Sequence, residues 1–179
     1  MDDRDLARRL QRGDAAALRV IYEAHKDYLL TVATCLLLDR GLAEDALHDA
    51  FVGFAGQVRT VRVRGSLRAY LATCVANRAR DGLRRRPRER SLAPEVEETV
   101  SPAPGPLEAA TDCEEADRLR AALAELPYEQ REAVVLHVQA DLTFGELADQ
   151  QAVSINTAQS RYRYGIDKLR SLLKAGAPR

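Results

Sequence analysis

The stretch Thr143-Phe-Gly-Glu-Leu-Ala-Asp-Gln-Gln-Ala-Val-Ser-Ile-Asn-Thr-Ala-Gln-Ser-Arg161 decides how the C-terminal part of the chain folds. Its first four residues match the capping box, in which Thr143 and Glu146 bind free amides at a helix start. This pattern predicts a short helix over residues 144–150. A tight break follows, after which Ser154 is a favourable N-cap for a longer helix. Two helices joined in this way indicate a helix-turn-helix.

The longer helix has an apolar inner face and a polar, basic outer face. The apolar positions are Ile155, Ala158, Tyr162, Ile166, Leu169 and Leu173. On the outer face, short polar side chains suit base edges in a major groove, and arginines suit phosphates. The predicted DNA contacts are Ser154, Asn156, Thr157, Ser160, Arg161 and Arg163. An ordinary helical hairpin with a solvated face is the alternative. Ala152 is a local misfit, because such turns often use glycine for its freedom at positive φ.

Upstream of this motif, apolar residues at three- and four-residue spacing predict an N-terminal bundle of three helices. The first spans 14–38 and turns inward Leu18, Ile21, Tyr22, His25, Leu29, Val32 and Leu36. The second spans about 42–57 and turns inward Ala43, Ala46, Leu47, Ala50, Phe51 and Phe54. The third runs from Ser66 to about Arg86 and buries Leu67, Leu71, Cys74 and Val75. We expect Pro87 to end it.

The segment between the two helical regions differs in composition from both. It is rich in proline and acidic residues and poor in large apolar ones, so it cannot bury enough surface to offset its ordering entropy. We expect an all-α protein of two small helical domains, spanning 10–90 and 115–174, joined by a flexible acidic linker over 91–114. The second domain should begin near Glu115, bury Leu119, Leu123 and Leu126, and start a new helix at Pro127.

Charge is distributed very unevenly along a chain whose net charge is zero. Between Arg59 and Arg90 there are eleven arginines and only two acidic residues, Asp81 and Glu89, whereas every charged residue from 91 to 117 is acidic. The stretch after Ser154 is basic again. Dense like charges repel one another, so the basic segments indicate a polyanionic partner.

Tyr70, Asn77 and Arg84 are spaced by seven along the third helix and therefore share one side, with Asp81 close by. A ring that can stack on a base, an amide that can read a base edge and guanidinium groups that can hold a backbone suit single-stranded or melting DNA. A basic face that serves solubility, or that binds RNA or acidic lipid, is the alternative.

The second helix carries an acidic outer face, formed by Glu44, Asp45, His48 and Asp49. Such a face meets either water or a basic protein partner, and its chemistry alone favours water.

Other classes of function find little support. Cysteines and histidines are scattered, so we expect no metal site, disulfide framework or cofactor. No glycine-rich phosphate loop or nucleophile elbow indicates an enzyme. The absence of a long apolar run and of a secretory signal favours a cytoplasmic protein with no membrane partner.

Several motifs in both helical regions resemble the sigma-70 family, in its extracytoplasmic-function (ECF) group. Ala43-Glu-Asp-Ala-Leu-His-Asp-Ala-Phe51 is similar to the AED-x-x-Q-[ED]-x-F stretch of that group. Leu67-Arg-Ala-Tyr-Leu71, Ala76-Asn-Arg78 and Asp81-Gly-Leu-Arg-Arg-Arg86 resemble its F-R-A-W-L … A-R-N … D-x-x-R-R-R pattern. Leu126-Pro-Tyr-Glu-Gln-Arg-Glu132 and Ser154-x-x-Thr-x-x-Ser-Arg161 are similar to its region 4.

The resemblance implies a factor that binds core RNA polymerase and directs it to promoter −10 and −35 elements. Residues 10–90 would be region 2, with the acidic face on the clamp helices of the β′ subunit. The −10 contacts would be Arg64, Arg68, Tyr70, Asn77, Asp81, Arg84 and Arg85. Region 4 would read the −35 element and touch the β flap. The resemblance also makes an anti-sigma factor a candidate partner.

Three positions depart from the group's pattern: Tyr70 stands where Trp is frequent, His48 where Gln is usual, and Gln151-Ala152 where Leu-Gly is common. The rivals left open are an operator-binding regulator that never needs polymerase and a module that binds only proteins.

Overall fold

The computed structural model describes residues 3–57, 66–90 and 109–175, and its regular structure is entirely helical. Within these ranges the helices are α1 (Asp3–Gln11), α2 (Ala15–Leu37), α3 (Arg40–Gln57), α4 (Leu67–Arg90), α5 (Ala109–Ala124), α6 (Tyr128–Ala140), α7 (Phe144–Gln151) and α8 (Ile155–Ala175). The predicted all-α class is therefore confirmed. We call α1–α4 the N-terminal module and α5–α8 the C-terminal module.

The N-terminal module is built on the packing of α2, α3 and α4 against one another. Asp14 caps α2 by accepting a hydrogen bond from the Ala16 amide at 3.0 Å, and Leu38 ends the helix in the left-handed region with φ 60°. All six residues predicted to face inward from α3 are buried. Regular three- and four-residue spacing thus placed both helices correctly.

Helix α1 has no counterpart among the predicted helices. It packs on α2, and Leu6 and Leu10 enter the core from it. Among the side chains of α1 that the structure describes, these two leucines, four residues apart in a strongly polar segment, mark its buried side. Two apolar positions are too few to define a period, so the helix depends on tertiary packing.

Pro87 does not end the third predicted helix, because α4 continues to Arg90. This expectation was wrong. A proline in a helix crowds the carbonyl four residues earlier and removes the hydrogen bond that its own nitrogen would have donated. In the last turn of a long helix that loss is local, and the following residues can still donate to carbonyls one turn earlier.

The C-terminal module begins at Ala109, six residues before the expected start near Glu115. Ala109 and Ala110 are strong helix formers, which explains why the helix reaches into the predicted linker. Residues 91–108 of that linker lie outside the described residues. The predicted helix start at Pro127 is confirmed, because Pro127 occupies the N-cap of α6.

Four apolar side chains predicted to face inward are substantially exposed: Tyr22 by 37%, Leu119 by 41%, Ile155 by 52% and Leu173 by 41%. Ile155 begins α8 and Leu173 lies in its last turn, so both are at the ends of that helix. Tyr22 packs the edge of its ring against Phe51, at a centroid distance of 4.9 Å, and leaves the rest open.

The two modules pack directly against each other. Helix α6 lies on α2 and α4, and buried apolar residues of both modules form one continuous cluster. The hydrophobic pattern predicts each module separately, but it contains no information about this arrangement.

Candidate nucleic-acid and polymerase interfaces

The helix-turn-helix forms as the sequence predicts. Thr143 Oγ1 accepts a hydrogen bond from the Glu146 amide at 3.3 Å, and the Glu146 carboxylate accepts one from the Thr143 amide at 2.8 Å. Ala152 adopts φ 52°, so this turn uses the positive φ that favours glycine, with alanine in its place. Ser154 Oγ then accepts from the Thr157 amide at 3.1 Å and starts α8. Side-chain caps thus fix the start of each helix, while the left-handed backbone at Ala152 ends α7 at the turn.

The six predicted −35 residues lie along one side of α8 but differ in accessibility. Asn156, Thr157 and Arg163 are exposed, as the contact with a groove requires. Ser154 is also exposed, although its hydroxyl is engaged in the cap. Ser160 and Arg161 are half-buried. Arg161 donates a hydrogen bond to Gln151 Oε1 at 2.9 Å, so it is held by the protein itself in this conformation.

The predicted row on the third helix lines a cleft between α3 and α4 of about 520 Å³. Tyr70, Asn77, Asp81 and Arg84 all contribute to its wall, and Phe54 lies at its base beside the Tyr70 ring. The ring, the amide and the charged groups are thus brought together. A polar cleft with an aromatic wall can hold an unstacked base and its phosphate.

Tyr70 stays neutral across the physiological range. Burial raises the pKa of its phenol to about 12, and the neighbouring Cys74 acts in the same direction. A neutral phenol can stack on a base and donate a hydrogen bond without repelling phosphate.

Two of the seven predicted −10 residues, Arg68 and Arg85, do not line this cleft. Arg85 lies around the helix in a small neighbouring cavity. Arg68 places its guanidinium 3.8 Å from the centre of the Tyr28 ring and donates to the Gln139 carbonyl of α6 at 3.3 Å. Arg64 lies outside the described residues, as do Arg59 and Arg62.

The acidic face of α3 is accessible over its whole length. Glu44, Asp45, His48 and Asp49 are all exposed, and Val52, one turn further, is 58% exposed. Asp45 and Asp49 also border a cavity of about 170 Å³ whose other wall carries Arg85. An acidic row with an apolar end fits a basic, partly apolar protein surface better than it fits nucleic acid.

The strongest polar contact between the modules was not predicted. Arg80 of α4 donates to both carboxylate oxygens of Glu132 of α6, at 2.6 and 2.8 Å, and also to the Gln150 carbonyl at 3.1 Å. Beside it, Gln150 Nε2 donates to Asn77 Oδ1 at 3.0 Å. The arginine density of α4 is visible in the sequence, but nothing in it pairs one arginine with a glutamate 52 residues away.

Within the described parts of the chain, no group of three or more His, Cys, Asp or Glu side chains could hold a metal ion. No described helix is long and apolar enough to cross a bilayer.

Comparison with protein families matches two segments of the chain. The model of sigma-70 region 2 matches residues 21–89, and the model of sigma-70 region 4 matches residues 116–169. The first segment contains the cleft and the acidic face, and the second contains the helix-turn-helix. The chain belongs to the sigma-70 family as an ECF sigma factor.

Individual proteins agree with this assignment. The ECF RNA polymerase sigma factor SigK of Mycolicibacterium vanbaalenii is 29% identical over 175 residues, an alignment that covers 94% of this chain and 87% of SigK. The sigma factor RpoE in complex with the anti-sigma factor NepR, from Bartonella quintana, has a similar fold, with a TM-score of 0.70 and 23% identity over 89% of this chain and 98% of RpoE. CnrH, solved in complex with the cytosolic domain of CnrY, gives a TM-score of 0.71 and 21% identity over 98% and 99% of the two chains.

Membership of this family establishes the general function. The sigma factor binds core RNA polymerase and promoter DNA, and it directs promoter-specific transcription initiation through −10 and −35 elements.

Proposed function

We propose that the C-terminal module reads the −35 element with the exposed side of α8. Asn156 and Thr157 lie in its first turn, where a recognition helix places side chains against base edges. Arg163 is exposed one to two turns later and suits a phosphate. Ser154, Ser160 and Arg161 complete the surface, with Arg161 available once it leaves Gln151.

The −10 element, in this proposal, is opened and held at the cleft of the N-terminal module. Tyr70 stacks on an unpaired base, Asn77 reads a base edge, and Arg84 holds the strand. Asp81 accepts hydrogen bonds at the cleft wall, while Arg64, Arg68 and Arg85 contribute positive charge around it. Melting costs stacking energy, and capture of the extruded base offsets part of that cost.

The acidic face of α3 is the surface we assign to polymerase, through the clamp helices of its β′ subunit. The support is the exposure of all four residues together with their negative charge, which nucleic acid would repel. In the same proposal residues 10–90 act as region 2, 91–114 as the linker, and 115–174 as region 4, which also meets the β flap. The chain acts without catalysis, in the cytoplasm where polymerase and promoter are found.

One observation carries this proposal: two surfaces suited to DNA lie on separate modules, one for a duplex groove and one for a single strand. Each surface is small, so each module alone binds weakly. When polymerase holds both modules on one promoter, binding of the first module raises the effective concentration of the second at its own element. The combined binding is therefore selective.

Run-off transcription with core polymerase and a pool of genomic fragments tests the assignment, beside a gel shift of the isolated protein. We expect new, specific start sites that require the sigma factor. Asp45→Asn together with Asp49→Asn should weaken polymerase binding, whereas Glu114→Gln, an exposed acidic residue on α5, should not.

Tyr70→Ala and Asn156→Ala separate the two DNA surfaces. Tyr70→Ala should impair opening of the promoter and leave −35 binding intact. Asn156→Ala should weaken −35 binding and leave the −10 cleft intact. If Asp45→Asn together with Asp49→Asn leaves polymerase binding unchanged, the residue assignments to polymerase fail.

A further inference from the structure

One arginine of α4 lies where the cleft between α3 and α4 adjoins the acidic face of α3. Arg78 lines the cleft, and it also lines the smaller cavity that Asp45 and Asp49 border. Its side chain is 39% exposed, so the guanidinium group is partly enclosed and still reaches solvent. Arg78 is therefore a cation at the boundary between the two surfaces, and it was not among the predicted −10 residues.

The guanidinium of Arg78 lies against α3 at Gly53. A Cβ on that glycine would stand 2.9 Å from one terminal nitrogen of Arg78, 3.8 Å from Cζ and 3.9 Å from Nε. Gly53 lies inside α3 and does not have positive φ, so the backbone does not require glycine there. Because glycine inside a helix is less stable than alanine, this position has a cost. The missing side chain leaves a notch on α3, which the planar guanidinium fills.

The N–H donors of Arg78 are little used by the protein. Among the residues that the structure describes, its one ion pair is with Asp81, at 3.8 Å, a distance too long for a hydrogen bond. Arg80, two residues further along α4, instead donates to both carboxylate oxygens of Glu132. Arg78 thus combines a defined position with donors that a ligand can use, and such preorganisation lowers the cost of binding.

The charges around Arg78 favour an anionic ligand on the cleft side. A phosphate in the cleft would be repelled by Asp45 and Asp49, which border the neighbouring cavity. A cation between them offsets this repulsion, and a guanidinium also presents paired donors to phosphate oxygens. The charge acts inside the cleft as well: burial raises the pKa of the Cys74 thiol, whereas its hydrogen bond with Tyr70 and the charge of Arg78 oppose that rise.

We propose that Arg78 is a further strand-binding residue of the cleft, which donates to a backbone phosphate of the unpaired promoter strand and is placed for this by the missing side chain at Gly53. This inference rests on the proposed −10 function of the cleft. Tyr70 stacks on the extruded base, Asn77 reads its edge, and Arg78 neutralises a phosphate beside it. The same cation separates the bound strand from the acidic face, so DNA and polymerase can occupy neighbouring sides of α3 and α4.

Binding of the holoenzyme to a labelled single-stranded oligonucleotide of about 12 nucleotides tests the proposal. The oligonucleotide carries the −10 segment of a promoter that the run-off assay selects, and fluorescence anisotropy is measured over a series of salt concentrations. Gly53→Ala leaves every charge in place, and its Cβ displaces only the far end of a flexible side chain. Gly56→Ala is the matched control on the same helix, since a Cβ there meets nothing within 4 Å. Both variants should fold at least as stably as the parent protein, because alanine favours a helix.

We expect Arg78→Ala to weaken oligonucleotide binding about tenfold, as the loss of a charge-assisted hydrogen bond predicts. The slope of log affinity against log salt should fall by about 0.7, the contribution of one phosphate on a single strand. Arg78→Lys should keep the slope because it keeps the charge. Gly53→Ala should weaken binding about threefold by moving the guanidinium, and it should have no further effect when residue 78 is already alanine. Gly56→Ala should match the parent protein.

An unchanged salt slope in Arg78→Ala would overturn the phosphate contact, and equal affinities of Gly53→Ala and Gly56→Ala would overturn the positioning role of Gly53. Weaker binding of Arg78→Ala to core polymerase, with unchanged oligonucleotide affinity of the assembled holoenzyme, would assign Arg78 to polymerase instead. Tyr70→Ala separates these results from failure of the proposed function. If Tyr70→Ala binds the oligonucleotide as the parent does, the cleft is not the −10 site. If it binds weakly while Arg78→Ala does not, only the inference about Arg78 fails.

Discussion

Gly165 of α8 lies so close to Val134 of α6 that a Cβ on the glycine would stand 2.8 Å from Val134 Cγ2 and 3.1 Å from the Gln130 carbonyl oxygen. The recognition helix α8 therefore packs closely on α6 at Gly165, a residue without a side chain. Because one of the two close atoms belongs to the backbone of α6, a rotamer change alone cannot relieve the contact.

Gly165→Ala should consequently destabilise the protein, by about 1–3 kcal/mol as overpacking of a core commonly does. Urea denaturation followed by circular dichroism measures this loss. Gly82→Ala is the matched control, since a Cβ at Gly82 meets nothing within 4 Å inside α4. There the better helix propensity of alanine should leave stability unchanged or raise it by about 0.5–1 kcal/mol. Equal stability of the two variants would contradict the close packing of α8 on α6.

The capping box of α7 supports a second prediction. Thr143→Ala removes the hydroxyl that accepts from the Glu146 amide, and it should cost about 1 kcal/mol of folding stability. Thr143→Ser keeps the hydroxyl and should therefore retain most of this folding stability. Thermal unfolding of both variants measures the difference. If alanine and serine prove equivalent, the cap does not hold the start of α7.

Features of the fold that arise from local chemistry were predictable. The caps at Thr143 and Ser154 and the apolar spacing of α3 depend on residues a few positions apart, so the sequence contains them directly. Ala152 suggested a slightly different turn, but the structure has positive φ at this position, with alanine in the place that favours glycine. The row from Tyr70 to Arg84 followed from helical geometry alone.

Features that depend on distant contacts were not predictable from these patterns. Helix α1 exists because Leu6 and Leu10 find a core that other helices build. Arg80 looks like any other arginine in a basic helix, and its pairing with Glu132 becomes visible only when α4 and α6 are side by side. Beside this pair, the hydrogen bond from Gln150 engages Asn77, which belongs to the predicted −10 surface.

Burial of Tyr70 predicts how stability responds to alkaline pH. The folded-state pKa is raised to about 12, above the ordinary value of 10.0. Above pH 10 the unfolded chain therefore loses this proton more readily than the folded chain. The stabilisation is complete below pH 10 and is lost as the pH rises toward 12. Burial raises the pKa of Tyr128 as well, so both phenols act in the same direction.

Tyr70→Phe should flatten this decline, because phenylalanine has no proton to lose. Urea midpoints measured between pH 9 and pH 12 test the expectation, with Tyr164→Phe, an exposed tyrosine on α8, as the control. A pH profile of Tyr70→Phe that coincides with that of the parent protein would show that this phenol ionises as freely in the folded state as in the unfolded one.

Arg163 supplies the prediction that most directly tests how α8 meets DNA. Its side chain is exposed beside the Tyr164 ring, 5.4 Å from the ring centre, and no hydrogen bond to another described residue holds it as one holds Arg161. If it neutralises one phosphate, Arg163→Ala should weaken promoter binding by the polymerase complex and reduce the slope of log affinity against log salt by about 0.9. Arg170→Ala, an equally basic change on α8 whose side chain is 70% exposed beside Asp167, is the control and should leave the slope unchanged. Filter binding of a duplex promoter across a series of salt concentrations measures both. Equal slopes for the parent and Arg163→Ala complexes, with lower affinity for some sequences only, would move Arg163 from a phosphate contact to a base contact.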